Sequence, residues 1–265
     1  MKTLVLANQK GGVGKSAVVV QLAYFFNLVM KKRVLVIDLD HQRNTSKAIR
    51  TGAIAAVSQL TASRLLSTRI DGSEVENAEF VLISADNAEL LRMEKQADKH
   101  NGFATNLQSF LKTVDGQFDV CIIDTNPNPD IRQLAALVVS NYVLSPLQLN
   151  QEAIDGIGDL LNHDNIGIRK IQATLNPTLQ LIGILPNLVE PTPFQRDNFR
   201  DLSTHFAKLL IPMATGFAAI KKSTAIPESQ AVGLPIWKLG KTSGRDAWAQ
   251  IRPVFEQIAT TMGVI

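Results

Sequence analysis

A glycine-rich loop near the amino terminus restricts the possible folds of this chain more than any other feature. It follows a short apolar run at residues 3–7 and opens a long helical pattern at residues 16–30. The loop reads Gln9-Lys10-Gly11-Gly12-Val13-Gly14-Lys15-Ser16. Glycines let successive backbone amides turn inward without a Cβ atom in the way, and the start of a helix favours an anion. The order strand, glycine loop, helix therefore predicts a phosphate-binding loop.

Two side chains of this loop carry specific expectations. Lys15 is placed to reach the β- and γ-phosphates of a nucleotide, and the hydroxyl group of Ser16 is placed to bind Mg²⁺. The strict Walker A pattern fails, because Gln9 stands where that pattern has its first glycine, and a second lysine, Lys10, precedes the paired glycines. The alternative is a structural glycine turn with incidental lysines, which the strand-to-helix context disfavours.

Short apolar runs alternate with helical patterns along the rest of the chain. Buried strands are predicted at residues 3–7, 33–37, 80–84, 120–123, 142–145 and 179–185, and helices at 16–30, 88–97, 105–114, 131–140, 151–162, 194–210 and 243–261. This alternation predicts an α/β fold with a doubly wound, mostly parallel sheet and helices on both faces. Residues 53–77 show no clear pattern, and no linker divides the chain, so we expect one domain over residues 1–265.

Composition excludes several classes of protein. Cys121 is the only cysteine, which rules out an intrachain disulfide framework. No apolar stretch approaches the roughly 18 residues that span a bilayer, and the amino terminus resembles no cleaved leader, so a cytoplasmic, unprocessed protein is expected. The formal charge is +3, and residues 208–265 hold seven Lys or Arg against three Asp or Glu. This surplus permits contact with nucleic acid without predicting it.

Acidic residues follow two of the predicted strands. Asp38 and Asp40 end the second strand, and Asp124 follows the apolar run 120–123. An isolated aspartate at such a place is as often a helix cap as a metal ligand. Combined with the glycine loop, these aspartates instead suggest a magnesium site and a residue that orients water.

The chain resembles the ParA/MinD family of deviant Walker A ATPases, and within it the small ParA partition proteins without an amino-terminal helix-turn-helix domain. Residues 10–16 are similar to the family's signature loop, residues 38–45 to its switch I, and residues 124–127 to its switch II. A weaker similarity extends through residues 182–187 and 226–235.

The resemblance implies ATP and Mg²⁺ as cofactors and gives roles to matching residues. Lys10 would cross an ATP-dependent homodimer to the partner's phosphates, Asp40 would position the attacking water, and Asn187 would lie near the adenine. Asp38 and Asp124 would support Mg²⁺ together with Ser16. The phosphates would be held by Gly11, Gly12, Val13, Gly14, Lys15, Ser16 and Ala17.

The sequence also departs from the family's pattern. His41 and Arg43 replace the usual proline and glycine of switch I, Ala17 replaces a second hydroxyl residue in the loop, and Asn126 replaces a proline of switch II. These changes bear on the hydrolysis rate and on the response to a stimulating partner. For His41, a solvated loop position is favoured over a pH switch.

The resemblance further implies nonspecific DNA as a partner, a nucleoid-associated location, and release of the DNA-bound dimer by a ParB-like centromere-binding adaptor. The absence of a helix-turn-helix segment argues against direct operator recognition. Scattered surface charges explain the basic residues equally well. The candidates for DNA contact are Lys221, Lys222, Lys241 and Arg245, with Lys238 and Arg252.

Other functions are weaker alternatives. A MinD-like membrane ATPase would use an apolar stripe formed by Trp248, Ile251, Val254, Phe255 and Ile258, but Pro253 interrupts it and such stripes more often pack on their own domain. No membrane partner is therefore expected. A cluster-carrying ATPase needs more cysteines, and a related tyrosine kinase usually has a tyrosine cluster at its end. A protein cargo in place of a replicon stays open.

Overall fold

The computed structural model describes residues 1–93 and 100–265. Within these residues seven strands form one sheet in the order β3-β4-β2-β5-β1-β6-β7, and every pair of neighbours is parallel. The predicted doubly wound α/β fold is confirmed. The strands are β1 Lys2–Leu6, β2 Val34–Asp38, β3 Ala56–Thr61, β4 Phe80–Ser84, β5 Val120–Asp124, β6 Tyr142–Leu147 and β7 Gln180–Pro186.

Helices cover both faces of this sheet. In the described residues they are α1 Lys15–Tyr24, α2 Asn44–Gly52, α3 Ala62–Ser67, α4 Asn87–Met93, α5 His100–Thr113, α6 Ile131–Val139, α7 Gln151–Asp155, α8 Ile157–Asn162, α9 Ile168–Thr174, α10 Pro193–His205, α11 Ala225–Val232 and α12 Thr242–Thr261. Of these, none is long and apolar enough to cross a membrane.

Strand register decides which loops meet. β5 lies between β1 and β2, with Leu6 opposite Asp124 and Asp38 opposite Asp124. The carboxyl ends of these three parallel strands therefore meet at one edge, and the loops that follow them emerge side by side. Ligands of open α/β sheets bind at such an edge.

The strands are buried on both faces, so alternate side chains enter two separate cores. Val5 and Ile37 pack with α5 and α6 on one face, whereas Leu4 and Val36 pack with α1 and α12 on the other. By the same alternation Asp38 and Asp124 continue the rows of Val36 and Ile122 and lie on the α1 face. Both carboxylates thus share one side of the sheet.

Some predicted boundaries need correction. The helix predicted at 16–30 becomes a π-helix at Phe25–Val29, the one at 151–162 is two helices separated at Gly156, and α10 ends at His205 before a 3₁₀ turn. The last residues of the helix predicted at 88–97 lie outside the described residues. Strand β3 and helices α2, α3, α9 and α11 were not predicted.

The apolar stripe of α12 packs on its own domain, as the favoured interpretation predicted. Ile251, Val254, Phe255 and Ile258 are buried in the core that also contains α1. Trp248 stacks near Trp237, with ring centroids 4.2 Å apart. The stripe is therefore not available as a lipid-facing surface.

Candidate nucleotide site

The glycine loop between β1 and α1 adopts backbone angles that favour glycine. Gly12 has φ 76° and Gly14 has φ 83°, both in the left-handed region. A Cβ atom on Gly14 would lie 2.4 Å from Nδ2 of Asn187. Gly14 immediately precedes α1, so the free backbone amides of the helix's first turn face the space beside the loop.

Amide side chains hold this loop from below. Asn8 accepts a hydrogen bond from the Lys10 backbone amide at 2.8 Å and donates to the Pro146 carbonyl at 2.8 Å. Asn187 donates to the Val13 carbonyl at 2.8 Å, and Gln148 donates to the Gly12 carbonyl at 3.1 Å. The loop is therefore fixed to the ends of β6 and β7 before any ligand binds.

Lys15 folds back across the loop. Its ammonium group donates to the carbonyl oxygens of Asn8 and Lys10, each at 3.2 Å, and the residue is only 7% exposed. Burial lowers the pKa of Lys15, and the nearby Asp124 and Asp40 oppose that shift. A cation in this position is poorly solvated, which favours an anionic ligand beside it.

A cavity of about 550 Å³ opens over the loop. Its lining contains every predicted phosphate-binding residue of the loop and Asp40, whereas Asp38 and Asp124 lie buried beneath it. Sequence analysis gave no individual role to the other lining residues. Gln42, Asn44 and Pro127 lie in the segments that resembled switch I and switch II. The rest lie on helices α2 and α11, which were not predicted, and are Lys47, Ala48, Thr51, Gln230 and Ala231.

Asp124 is fully buried at the end of β5. Its Oδ2 accepts a hydrogen bond from the Thr45 hydroxyl group at 2.6 Å, and its Oδ1 has no hydrogen-bond partner among the described residues. Burial raises the pKa of Asp124, against the opposing effect of the Thr45 and Ser16 hydroxyl groups. An unpaired buried carboxylate oxygen close to the Ser16 hydroxyl group is a suitable partner for a hydrated Mg²⁺ ion.

Asp38 is held differently. Its Oδ2 accepts from the Ser46 amide at 2.8 Å and from the Ser46 hydroxyl group at 2.6 Å, and its Oδ1 accepts from the Asp40 amide at 3.1 Å. Burial and the neighbouring Asp124 raise the pKa of Asp38. Because both oxygens already accept hydrogen bonds, the geometry favours Asp38 as the residue that positions α2 and Asp40 over a direct metal ligand.

Asp40 lines the cavity, and Lys10 precedes the loop residues that line it. Asp40 is 5% exposed, lines the cavity, and accepts from the Gln42 amide at 2.9 Å. Lys10 is exposed, and its backbone is bonded to Asn8 and Lys15. A buried carboxylate beside the cavity and an outward lysine suit the two roles that the resemblance implied, which stay predictions.

Asn187 lies beneath the loop. It is 2% exposed, and its Oδ1 has no hydrogen-bond partner in the described chain. Next to it is a small apolar gap, lined by residues that include Ala17, Ile226 and Phe255. The unpaired amide oxygen is able to accept a hydrogen bond from a ligand. The place of Asn187 near an adenine stays a prediction.

Comparison with known proteins agrees with this geometry. A family model described as an AAA domain matches residues 1–181. Protein IncC of Escherichia coli is 33% identical over the whole of this chain and 71% of its own length. The chain belongs to the ParA/MinD family of P-loop ATPases. The chromosome-partitioning ATPase Soj of Thermus thermophilus is 28% identical over 92% of this chain and 90% of its own length.

Solved structures share the fold of this ParA/MinD protein. McdA of Cyanothece superimposes with a TM-score of 0.79 and 21% identity, covering 97% of this chain and 99% of that one. Cobyrinic acid a,c-diamide synthase of Mycobacterium smegmatis, bound to an ATP analogue and magnesium, has a TM-score of 0.68 and 25% identity, with 95% of each chain covered. Family members thus bind nucleotide and magnesium on this fold.

The predicted DNA contacts of this ParA/MinD protein are all exposed, but several are paired. Lys222 pairs with Glu190, Lys241 with Glu228, and Arg252 with Glu256. Lys221, Lys238 and Arg245 have no carboxylate partner in the described residues.

A groove beside α10 adds a basic residue that sequence analysis missed. It has a volume of about 510 Å³, and Arg196 lines it together with Lys221 and Lys222. Arg196 is exposed and lies on α10, one turn after the helix begins. Its helix was predicted, but the sequence gives no signal that β7 and the segment before α11 bring Lys221 beside it. The groove therefore gathers positive charge from two distant parts of the chain.

Proposed function

We propose that the protein is a DNA-partition ATPase that acts as an ATP-dependent dimerisation switch. The observation that carries the proposal is the cavity at the carboxyl edge of β1, β2 and β5, where free helix amides, Lys15 and Asp40 face one space. The similarity to Soj, a chromosome-partitioning ATPase, supports the biological role. ATP and Mg²⁺ are the cofactors of this proposal.

The residues present fit a magnesium–nucleotide complex. The Ser16 hydroxyl group and the unpaired Oδ1 of Asp124 would hold the ion, with Asp38 holding α2 and the Asp40 loop in place. When bound, Mg²⁺ neutralises charge that develops on the phosphates. The first-turn amides of α1 and the ammonium group of Lys15 would bind the phosphate oxygens.

Asp40 would orient the attacking water, because its carboxylate borders the cavity and one of its oxygens is already fixed by the Gln42 amide. Lys10 is exposed, and no hydrogen bond or ion pair holds its side chain within the described residues. In a homodimer that faces two loops toward each other, Lys10 of each subunit would supply positive charge to the other subunit's phosphates. Hydrolysis would then be slow in the monomer.

The ATP-bound dimer would bind DNA through phosphates and without sequence preference. The groove residues Arg196 and Lys221 are the best placed of the basic candidates, since they line one groove together and neither is paired with a carboxylate in the described chain. A DNA-bound adaptor of the ParB type would stimulate hydrolysis and release the dimer. The protein would then be associated with the nucleoid while ATP is bound.

Retention on a surface tests this function. The full chain is passed over nonspecific duplex DNA and, in parallel, over anionic liposomes, with ATP, ADP or no nucleotide, at low and high salt. ATP-dependent retention on DNA that falls steeply with salt is expected. Retention on liposomes alone would move the protein to the membrane-positioning class, and no ATP-dependent retention on either surface would overturn the proposal.

A further inference from the structure

A buried arginine connects the loop that follows β2 with the loop that follows β5. Arg132 lies at the start of α6, and its side chain is fully buried. Its Nε donates to Oδ2 of Asp130 at 2.9 Å, and its Nη2 pairs with the same oxygen. Its Nη1 lies 3.4 Å from Nδ1 of His41. One guanidinium group therefore contacts both loops.

Asp130 extends this contact toward the catalytic edge. Its Oδ1 accepts from the Arg132 amide at 2.9 Å and so caps α6, while its Oδ2 accepts from Nδ2 of Asn126 at 2.8 Å. Asn126 is two residues from Asp124, and His41 is next to Asp40. A continuous chain of polar contacts thus runs from the neighbour of Asp40 to the segment that carries Asp124.

The ends of this chain of contacts are the polar side chains of His41 and Asn126. His41 and Asn126 are both positions at which the sequence departs from the family's prolines. A proline side chain has no polar atom, so neither hydrogen bond could form with proline in its place. The contacts are accordingly a property of this protein's own residues.

The chemistry of the contact fixes the role of His41. A guanidinium group only donates, so a hydrogen bond between the two groups requires that Nδ1 of His41 accepts and that the ring proton lies on Nε2. That same Nδ1 is 3.7 Å from Oδ1 of Asp40, beyond hydrogen-bond length. Arg132 therefore keeps the lone pair of His41 turned toward α6. The Asp40 carboxylate then accepts from the Gln42 amide and borders the cavity without a hydrogen bond to His41.

We propose that Arg132 is a positioning residue that couples the two switch loops. Through His41 it fixes the loop that carries Asp40, and through Asp130 and Asn126 it fixes the loop that follows Asp124. Movement of either loop is transmitted to the other, so both take their hydrolysis-competent positions together. The inference rests on the proposed role of Asp40 in hydrolysis.

The test uses the partners of Arg132, because replacing a fully buried, paired arginine risks unfolding the chain. His41→Ala removes the acceptor, whereas His41→Asn places an amide oxygen close to the position of Nδ1. We expect His41→Ala to lower kcat for ATP about tenfold and to leave KM within about twofold, since positioning acts on the chemical step. His41→Asn should recover most of the loss. His205→Ala, at an exposed histidine on α10, is the matched control.

A double variant adds a second, independent measurement. If one network links the loops, Asn126→Ala combined with His41→Ala should lower kcat little further than either change alone. The proposal is overturned if the two effects multiply, if His41→Asn fails to recover activity, or if kcat and KM change together with the melting temperature. Asp40→Ala is measured beside them: retained hydrolysis there would refute the role of Asp40, whereas the comparison of His41→Ala with His41→Asn judges the coupling.

Discussion

The charged side chains of the nucleotide site are buried and hydrogen-bonded, whereas those of the basic surface, formed by the candidate DNA contacts, are exposed. In the nucleotide site, Lys15, Asp38 and Asp124 are buried. Lys15 donates to carbonyl oxygens of the glycine loop, and the two aspartates accept hydrogen bonds from α2. On the surface, Lys222 and Lys241 are exposed and face single glutamates. Charges placed by strand register can be inferred from a motif. Charges on exposed helices depend on neighbours that the motif does not specify.

The largest effect is expected from a substitution in the nucleotide site. Lys15→Ala removes the ammonium group that is bonded to two carbonyl oxygens of the loop, and it takes away a cation near Asp40 and Asp124. We expect ATP affinity, measured with a fluorescent ATP analogue, to fall at least about 100-fold. Lys112→Ala, an exposed lysine on α5, should bind as the wild type does. Equal affinities in the two variants would show that the cavity over the loop is not the nucleotide site.

Asp40→Ala separates hydrolysis from binding at the same edge. The Asp40 carboxylate lines the cavity but does not anchor the glycine loop. We therefore expect ATP turnover to fall about 100-fold or more while ATP still assembles a dimer. Phosphate release and sedimentation with ATP measure the two properties. The trapped dimer should stay on DNA longer than the wild type. Asp164→Ala, at an exposed aspartate, is the control, and a monomeric Asp40→Ala protein in ATP would contradict the assignment.

The same contrast between residues placed by strand register and residues placed by their neighbours explains which site residues the sequence predicted. The loop, Asp40 and Asp124 follow apolar strand runs, and parallel strands bring their carboxyl ends together, so these residues were predicted. Thr45 and Ser46 were not given their roles, because they begin α2, a short and mostly polar helix that was not predicted. Arg132 was given no role, because nothing in the local sequence predicts that its side chain is buried and contacts His41. Strand β3 escaped prediction because it is an edge strand with mixed polarity and an irregular register.

The pH dependence of magnesium binding tests the proposed role of the buried Asp124 carboxylate. Burial raises the pKa of Asp124, so its carboxyl group takes up a proton nearer neutrality than an ordinary aspartate does, and Mg²⁺ must displace that proton. We expect Mg²⁺-dependent nucleotide affinity to fall about tenfold between about pH 7.5 and about pH 5.5. Calorimetry with Asp124→Asn gives the contribution of the nucleotide's own phosphates. An equal decline in that variant would remove Asp124 as the cause.

Substitutions of the basic surface residues should have smaller effects, and the effect on DNA retention should depend on whether the residue is paired with a carboxylate. Lys221 lines the groove without a carboxylate partner in the described chain, whereas Lys241 faces Glu228. We expect Lys221→Gln to weaken ATP-dependent DNA retention severalfold and to lower the salt slope by about one, with a smaller change for Lys241→Gln. Arg196→Gln should resemble Lys221→Gln. A larger loss in Lys241→Gln would place the DNA face on α12 and away from the groove.

The smallest expected effect comes from the acidic partners and has the opposite sign. Glu190→Gln releases Lys222 beside the groove, and Glu228→Gln releases Lys241 at α11. Exposed ion pairs of this kind contribute about 1 kcal/mol or less to folding, so neither change should shift the melting temperature measurably. If the groove is the DNA face, Glu190→Gln should tighten DNA retention about twofold at low salt, while Glu228→Gln should not. Equal tightening in both variants would mean that net charge, and not the groove, governs binding.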